Sequence, residues 1–143
     1  MPAWRRPTSA RPTIRLKQFL FAVAAVASTS ASAAESTKVT PLLSRDLTGI
    51  AGKEGAMMMV EYAPGAADPI QRHNAHVFVY VLEGSVVMQV KGAAAVTLRT
   101  GQIFYEGPDD IHLVGRNASR TKPAKFLAVF VKDKGAPVVA PAQ

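Results

Sequence analysis

The 143-residue chain predicts an all-β fold, a small double-sheet roll or barrel, preceded by an N-terminal signal segment. Three observations carry the prediction. Short β-branched and apolar runs alternate with Gly, Pro, Asp and Asn at close spacing. Beyond the leader, no stretch of about ten residues or more carries a helical stripe. The first residues follow a different order: basic, then apolar, then small.

The leader comes first. Arg5, Arg6, Arg11, Arg15 and Lys17 precede an apolar run from Phe19 to Ala27, and Ala31-Ser32-Ala33 offers an A-x-A cleavage site before Ala34. Residues 1–34 therefore read as a signal peptide, with a basic unstructured tail as the other reading. The apolar run is far shorter than the roughly 20 residues a membrane span needs, and no later run is longer. The expectation is a periplasmic or secreted protein without a stable membrane anchor. Arg5-Arg6 lacks the flanking residues of a twin-arginine signal, which leaves the general secretion route.

Cleavage changes the electrostatic reading. The net charge of +7 includes five basic leader residues and no acidic ones, so 12 basic and 10 acidic residues remain, a net +2. A basic footprint for nucleic acid is then not expected. The chain has no cysteine, which excludes disulfides and thiolate chemistry. What remains suffices for one domain, placed at residues 35–134.

Within it, strands are expected near Pro41–Leu47, Ala56–Tyr62, His76–Leu82, Ser85–Lys91, Ala95–Arg99, Gln102–Tyr105, Ile111–Arg116 and Lys125–Lys132. Turn residues separate them at Gly49 to Gly55, Pro64 to Pro69, Glu83-Gly84, Gly92, Thr100-Gly101 and Gly107 to Asp110. Glu83-Gly84 reads as a hairpin turn. Eight strands of about six residues match a double-sheet roll with a cavity for one small ligand. Pro137 and Pro141 bar residues 135–143 from a regular central strand, so these read as a flexible C-terminal tail or an arm on a neighbour.

The chain's three histidines, His73, His76 and His112, cluster beside these strands. Imidazoles from distant segments point to one pocket able to hold a metal or an acid/base pair. Interior histidines satisfied by hydrogen bonds are the plain alternative. Glu61, Tyr105 and Glu106 are further pocket candidates. Strand parity groups Tyr105 with Ile103, and Glu106 with Phe104, without saying which pair faces inward. Asp109-Asp110 reads as turn capping. Met57-Met58-Met59 reads as packing, because consecutive strand residues point to alternate faces and cannot converge on one ion.

Two segments resemble the cupin superfamily in its small single-domain form, the cupin type 2 proteins. Pro64-Gly65, the histidine segment and Tyr80-Val81-Leu82-Glu83-Gly84 resemble the first cupin motif. Gly101 to Gly107, Pro108, His112 and Asn117 resemble the second. The resemblance implies a jelly-roll barrel and a homodimer. It also implies a divalent metal held by two histidines one residue apart, a glutamate soon after and a histidine from the second motif. Placed on this chain, those positions are Gln71, His73, a site near His76 or Val77, and His112. Glutamine stands at one ligand position and the carboxylate is missing. On an extended strand Gln71, His73 and Val77 share a face and His76 points away. A bend at Asn74-Ala75 would instead bring His76 inward beside His73 and His112. Both arrangements are open to the sequence.

The expected metal ligands are thus His73, His112, His76 and Gln71, and the donor set suits iron, manganese, zinc, nickel or copper. The expected function is an exported protein that binds a divalent metal and acts on or binds a small polar molecule. The alternative is a non-enzymatic small-ligand binder with a degenerate metal site.

Overall fold

A computed structural model describes residues 37–142. The expected signal peptide lies outside the described residues. Every regular element among them is a strand: β1 (Thr37–Asp46), β2 (Lys53–Tyr62), β3 (Gln71–Arg72), β4 (His76–Glu83), β5 (Ser85–Val90), β6 (Val96–Arg99), β7 (Ile103–Glu106), β8 (Ile111–Asn117), β9 (Ala124–Asp133) and β10 (Ala140–Pro141). They form two five-stranded antiparallel sheets, ordered β1-β2-β9-β4-β7 and β10-β3-β8-β5-β6.

Alternation of side chains along the strands builds the interior. On β4, Val77, Val79 and Val81 are buried while His76, Phe78 and Tyr80 are exposed. On β9, Ala124, Phe126, Ala128, Phe130 and Lys132 point inward. Apolar residues of the two inner faces meet across the roll, and burying them drives the sheets together. Lys132 is the charged exception on β9. Its ammonium pairs with Glu54 and donates to the Ala136 carbonyl at 2.5 Å, so the buried charge is matched.

Glu83-Gly84 is not a hairpin turn. β4 belongs to one sheet and β5 to the other, so this pair is a corner where the chain changes sheet. Only glycine fits there: φ is +70° and a Cβ would come within 2.6 Å of the Pro123 carbonyl oxygen. The corner matters for the site because it lets β4 and β8 face each other from opposite sheets. The C-terminal segment is not a loose end either. Ala140–Pro141 pairs with Gln71–Arg72 at a sheet edge, a position that tolerates proline.

Candidate metal centre

Two strands and one loop bring the polar residues of the interior together. Glu106 ends β7, opposite Val77 in register, and therefore shares the inward face of β4. It is 3% exposed. His112 lies on β8, opposite Gln71, and is 4% exposed. His73 follows the two-residue strand β3 and reaches inward from the loop that leads to β4.

The contacts fix the arrangement. Glu106 Oε1 lies 2.5 Å from His112 Nδ1, and Glu106 Oε2 lies 3.6 Å from His73 Nε2. The two imidazole centroids are 5.9 Å apart, and the edge of Phe130 supports His73 at 5.4 Å. A carboxylate only accepts hydrogen bonds, so with Glu106 ionised the proton of the short contact sits on His112 Nδ1. His112 Nε2 is then a buried nitrogen without a hydrogen-bond partner. The ring packs directly over Gly115, where a Cβ would collide with Nε2 and lie 3.1 Å from the Tyr62 hydroxyl.

A second polar group lies in the same cavity. Tyr62 donates its hydroxyl hydrogen to Asp68, and Thr37 Oγ1 donates to the other Asp68 oxygen at 3.1 Å. Burial first, and then the carboxylates of Asp68 and Glu106, hold the Tyr62 phenol well above its ordinary value. It stays a neutral donor across the physiological range. The cavity holds about 300 Å³ and its wall is largely apolar, including Val60, Val77, Met88, Phe126, Phe130 and Val138. Gln71 is part of that wall.

Of the four expected ligands, the fold gathers His73 and His112 and sets Gln71 at the cavity wall. His76 is elsewhere. The backbone does bend, with Asn74 at φ +49°, yet the parity of the strand is kept: Ala75 and Val77 are buried and His76 is exposed. Its Nδ1 meets the Tyr105 hydroxyl at 2.7 Å on the outer face. The inward His76 is therefore not the arrangement this chain adopts. Tyr105 is on the outer face with it, and Glu61 pairs there with Lys38 and Lys125. Asp110 caps its turn, accepting from the Gly107 amide at 2.7 Å. Met58 faces the cavity while Met57 and Met59 face outward.

The residue that completes the cluster is Glu106. It supplies the carboxylate that the first motif lacks, from a strand distant in sequence. The signal available was its parity with Phe104, an apolar residue packed on the core. His73, Glu106 and His112 place one donor atom each within 4.8 Å of one another, and such a group could hold a metal ion. The 3.6 Å gap between His73 Nε2 and Glu106 Oε2 shows donor atoms whose bonding capacity the protein alone leaves unfilled, while His112 Nε2 is turned towards Gly115. Two imidazoles and a carboxylate fit a first-row divalent ion.

A family model described as a cupin domain matches residues 58–130. Among curated protein sequences none matches this chain. Solved structures do. The DMSP lyase DddQ from Ruegeria pomeroyi DSS-3 is 18% identical with a TM-score of 0.55, over 62% of this chain and 43% of that one. An oxalate oxidase in complex with the substrate analogue glycolate is 22% identical with a TM-score of 0.58, over 74% and 55%. The cupin domain of an XRE family transcriptional regulator from Enterobacter cloacae is 25% identical with a TM-score of 0.53, over 66% and 95%. The chain thus spans about half the length of the two enzymes it resembles. With them it shares a fold.

Proposed function

The chain belongs to the cupin family, and from that premise we propose an exported protein that holds a divalent metal at His73, Glu106 and His112 and acts on or binds a small molecule in the cavity beside it. The observation that carries the reading is the convergence of those three donors at the polar end of an otherwise apolar cavity. Such an ion would polarise a ligand oxygen or activate water. Glu106 accepts the hydrogen bond from the proton-bearing nitrogen of His112 and so orients that ring. Gln71 offers an amide to an anionic head group, Tyr62 stays protonated with its hydrogen committed to Asp68, and valine and phenylalanine side chains supply an apolar wall. A ligand with a compact apolar body and one oxygen-rich head suits this cavity. The neighbours named as a DMSP lyase and an oxalate oxidase act on small molecules, which accords with the size of the site.

The test is metal content by elemental analysis of untagged protein, alongside Glu106→Gln and His112→Ala variants. Near-stoichiometric metal in the natural chain, lost in both variants, is the expected result. Metal below about a tenth of an equivalent after incubation with iron, manganese, zinc, nickel or copper would overturn the metal reading. The non-enzymatic binder is the second reading, favoured by the apolar wall and by the glutamine at position 71.

Export rests on the leader, and cleavage before Ala34 removes Trp4, the only tryptophan. Protein recovered from the periplasm or medium is expected to begin at Ala34 by intact mass and to show no tryptophan emission. Recovery of the uncleaved chain from the cytosol would remove this part of the proposal. A homodimer completes it, through the outer face of the sheet that carries β4 and β7.

A further inference from the structure

The C-terminal segment is fastened across the mouth of the roll at three points. Lys132 Nζ donates to the Ala136 carbonyl at 2.5 Å. Val138 O lies 2.5 Å from His73 Nδ1. Ala140–Pro141 pairs with Gln71–Arg72, the strand that immediately precedes His73. Val138 and Val139 also line the cavity that holds Glu106 and His112.

A carbonyl oxygen accepts hydrogen bonds and cannot donate them. The proton between Val138 and His73 is therefore on Nδ1, and in the neutral ring Nε2 is left as a lone pair. That is the nitrogen facing Glu106 Oε2 across 3.6 Å. A free imidazole chooses between two tautomers and turns about two side-chain torsions, whereas here the backbone of a distant segment selects one tautomer and one orientation. The flanking contact with Phe130 fixes the ring plane but carries no proton preference.

We infer that residues 135–142 form a strap that is part of the binding site, with the Val138 carbonyl as the positioning group that aims His73 Nε2 at Glu106 and His112. The inference rests on the proposed metal centre for its consequence and on the hydrogen bond alone for its geometry. Ligating histidines depend on the acceptor behind them, and losing it typically costs about 10–100-fold in metal affinity. The strap also lines the cavity with Val138 and Val139, so it forms part of the wall a ligand would meet.

The test uses the full chain, a chain ending at Gly135, and a chain with two glycines inserted after Gly135 that keeps every strap residue but shifts Val138. Long-range ¹H–¹⁵N spectra of the metal-free proteins read the His73 tautomer, and zinc titration reads affinity. The expected result is the Nδ1–H form of His73 in the full chain, lost in both variants, with zinc affinity lower by about 10–100-fold. Retention of the Nδ1–H form in the variants, or the Nε2–H form in the full chain, overturns the inference. A tautomer change without zinc binding by any of the three proteins upholds the strap and rejects the metal centre, so the two failures are distinct. If the shortened chain does not fold, the glycine insertion decides alone. Folding of the variants is followed by the amide signals of β5 and β6, which make no pairing with the strap.

Discussion

At the residue scale, the cluster depends on a glycine that offers no ligand atom. Gly115 sits under the His112 imidazole, and any Cβ there meets Nε2 head on. Gly115→Ala must push the ring away from Glu106 or shift β8, an overpacking that typically costs about 1–3 kcal/mol. The expected outcome is a lower urea midpoint together with weakened metal binding; a variant with unchanged midpoint and unchanged metal content would show that the ring has room to move. The sequence disclosed part of this site. His73 and His112 were legible because histidines are few, one just before a strand and the other within one. Glu106 was visible only as a candidate, because parity sorts the side chains of one strand into two sets and cannot choose the inner one. That choice is made by pairing with β4, where Val77 stands opposite Glu106. His76 illustrates the converse. A bend at Asn74 was foreseeable, but its direction depends on a left-handed residue at φ +49° that keeps Ala75 buried and His76 outside.

At the scale of elements, the eight longer strands follow from composition, since each is a short β-branched or apolar run between turn residues. The two-residue strands β3 and β10 do not. Two residues carry no periodicity, and their pairing is a long-range event joining Gln71–Arg72 to Ala140–Pro141. The connection between β9 and β10 is anchored by the buried Lys132, which Glu54 and the Ala136 carbonyl neutralise and satisfy. The Glu54 carboxyl is held below its ordinary value of 4.5, first by its hydrogen bond with Lys132. Because the folded value is the lower one, the unfolded chain binds more protons in this range. The contribution is then fully present above about pH 4.5 and disappears as the pH falls through the folded value. Glu54→Gln is expected to lower the melting temperature at pH 7, and the gap between variant and natural chain is expected to narrow as the pH falls below about 4.5. A gap that stays the same throughout the acid range would show that the ion pair contributes nothing and that the amide only packs badly.

At the scale of the whole molecule, the inner faces are accounted for by the cavity and the core, and one outer face is not. On β4 and β7 the outward residues Phe78, Tyr80, Ile103 and Tyr105 are apolar or aromatic and between 46% and 72% exposed. Register places Phe78 opposite Tyr105 and Tyr80 opposite Ile103, with Val129 and Leu127 of β9 continuing the same rows. The rings of Phe78 and Tyr105 lie 5.3 Å apart, and His76 stacks on Tyr105. Isolated exposed apolar side chains are ordinary, but a contiguous sheet face of them marks a contact surface. The face carries no formal charge at these positions, so it can meet its own copy about a two-fold axis without like-charge repulsion. A stable pair buries roughly 800 Å² per partner, with large aromatic residues as its anchors. Sedimentation is expected to give a dimer for the natural chain and a monomer for an Ile103→Lys, Tyr105→Lys double variant. Metal content is expected to survive, because both side chains point away from the cavity. A natural chain that sediments as a monomer at micromolar concentration would refute self-association through this face. A variant that loses metal as well as dimerisation would mean that β7 cannot keep Glu106 in place without a partner against its outer side.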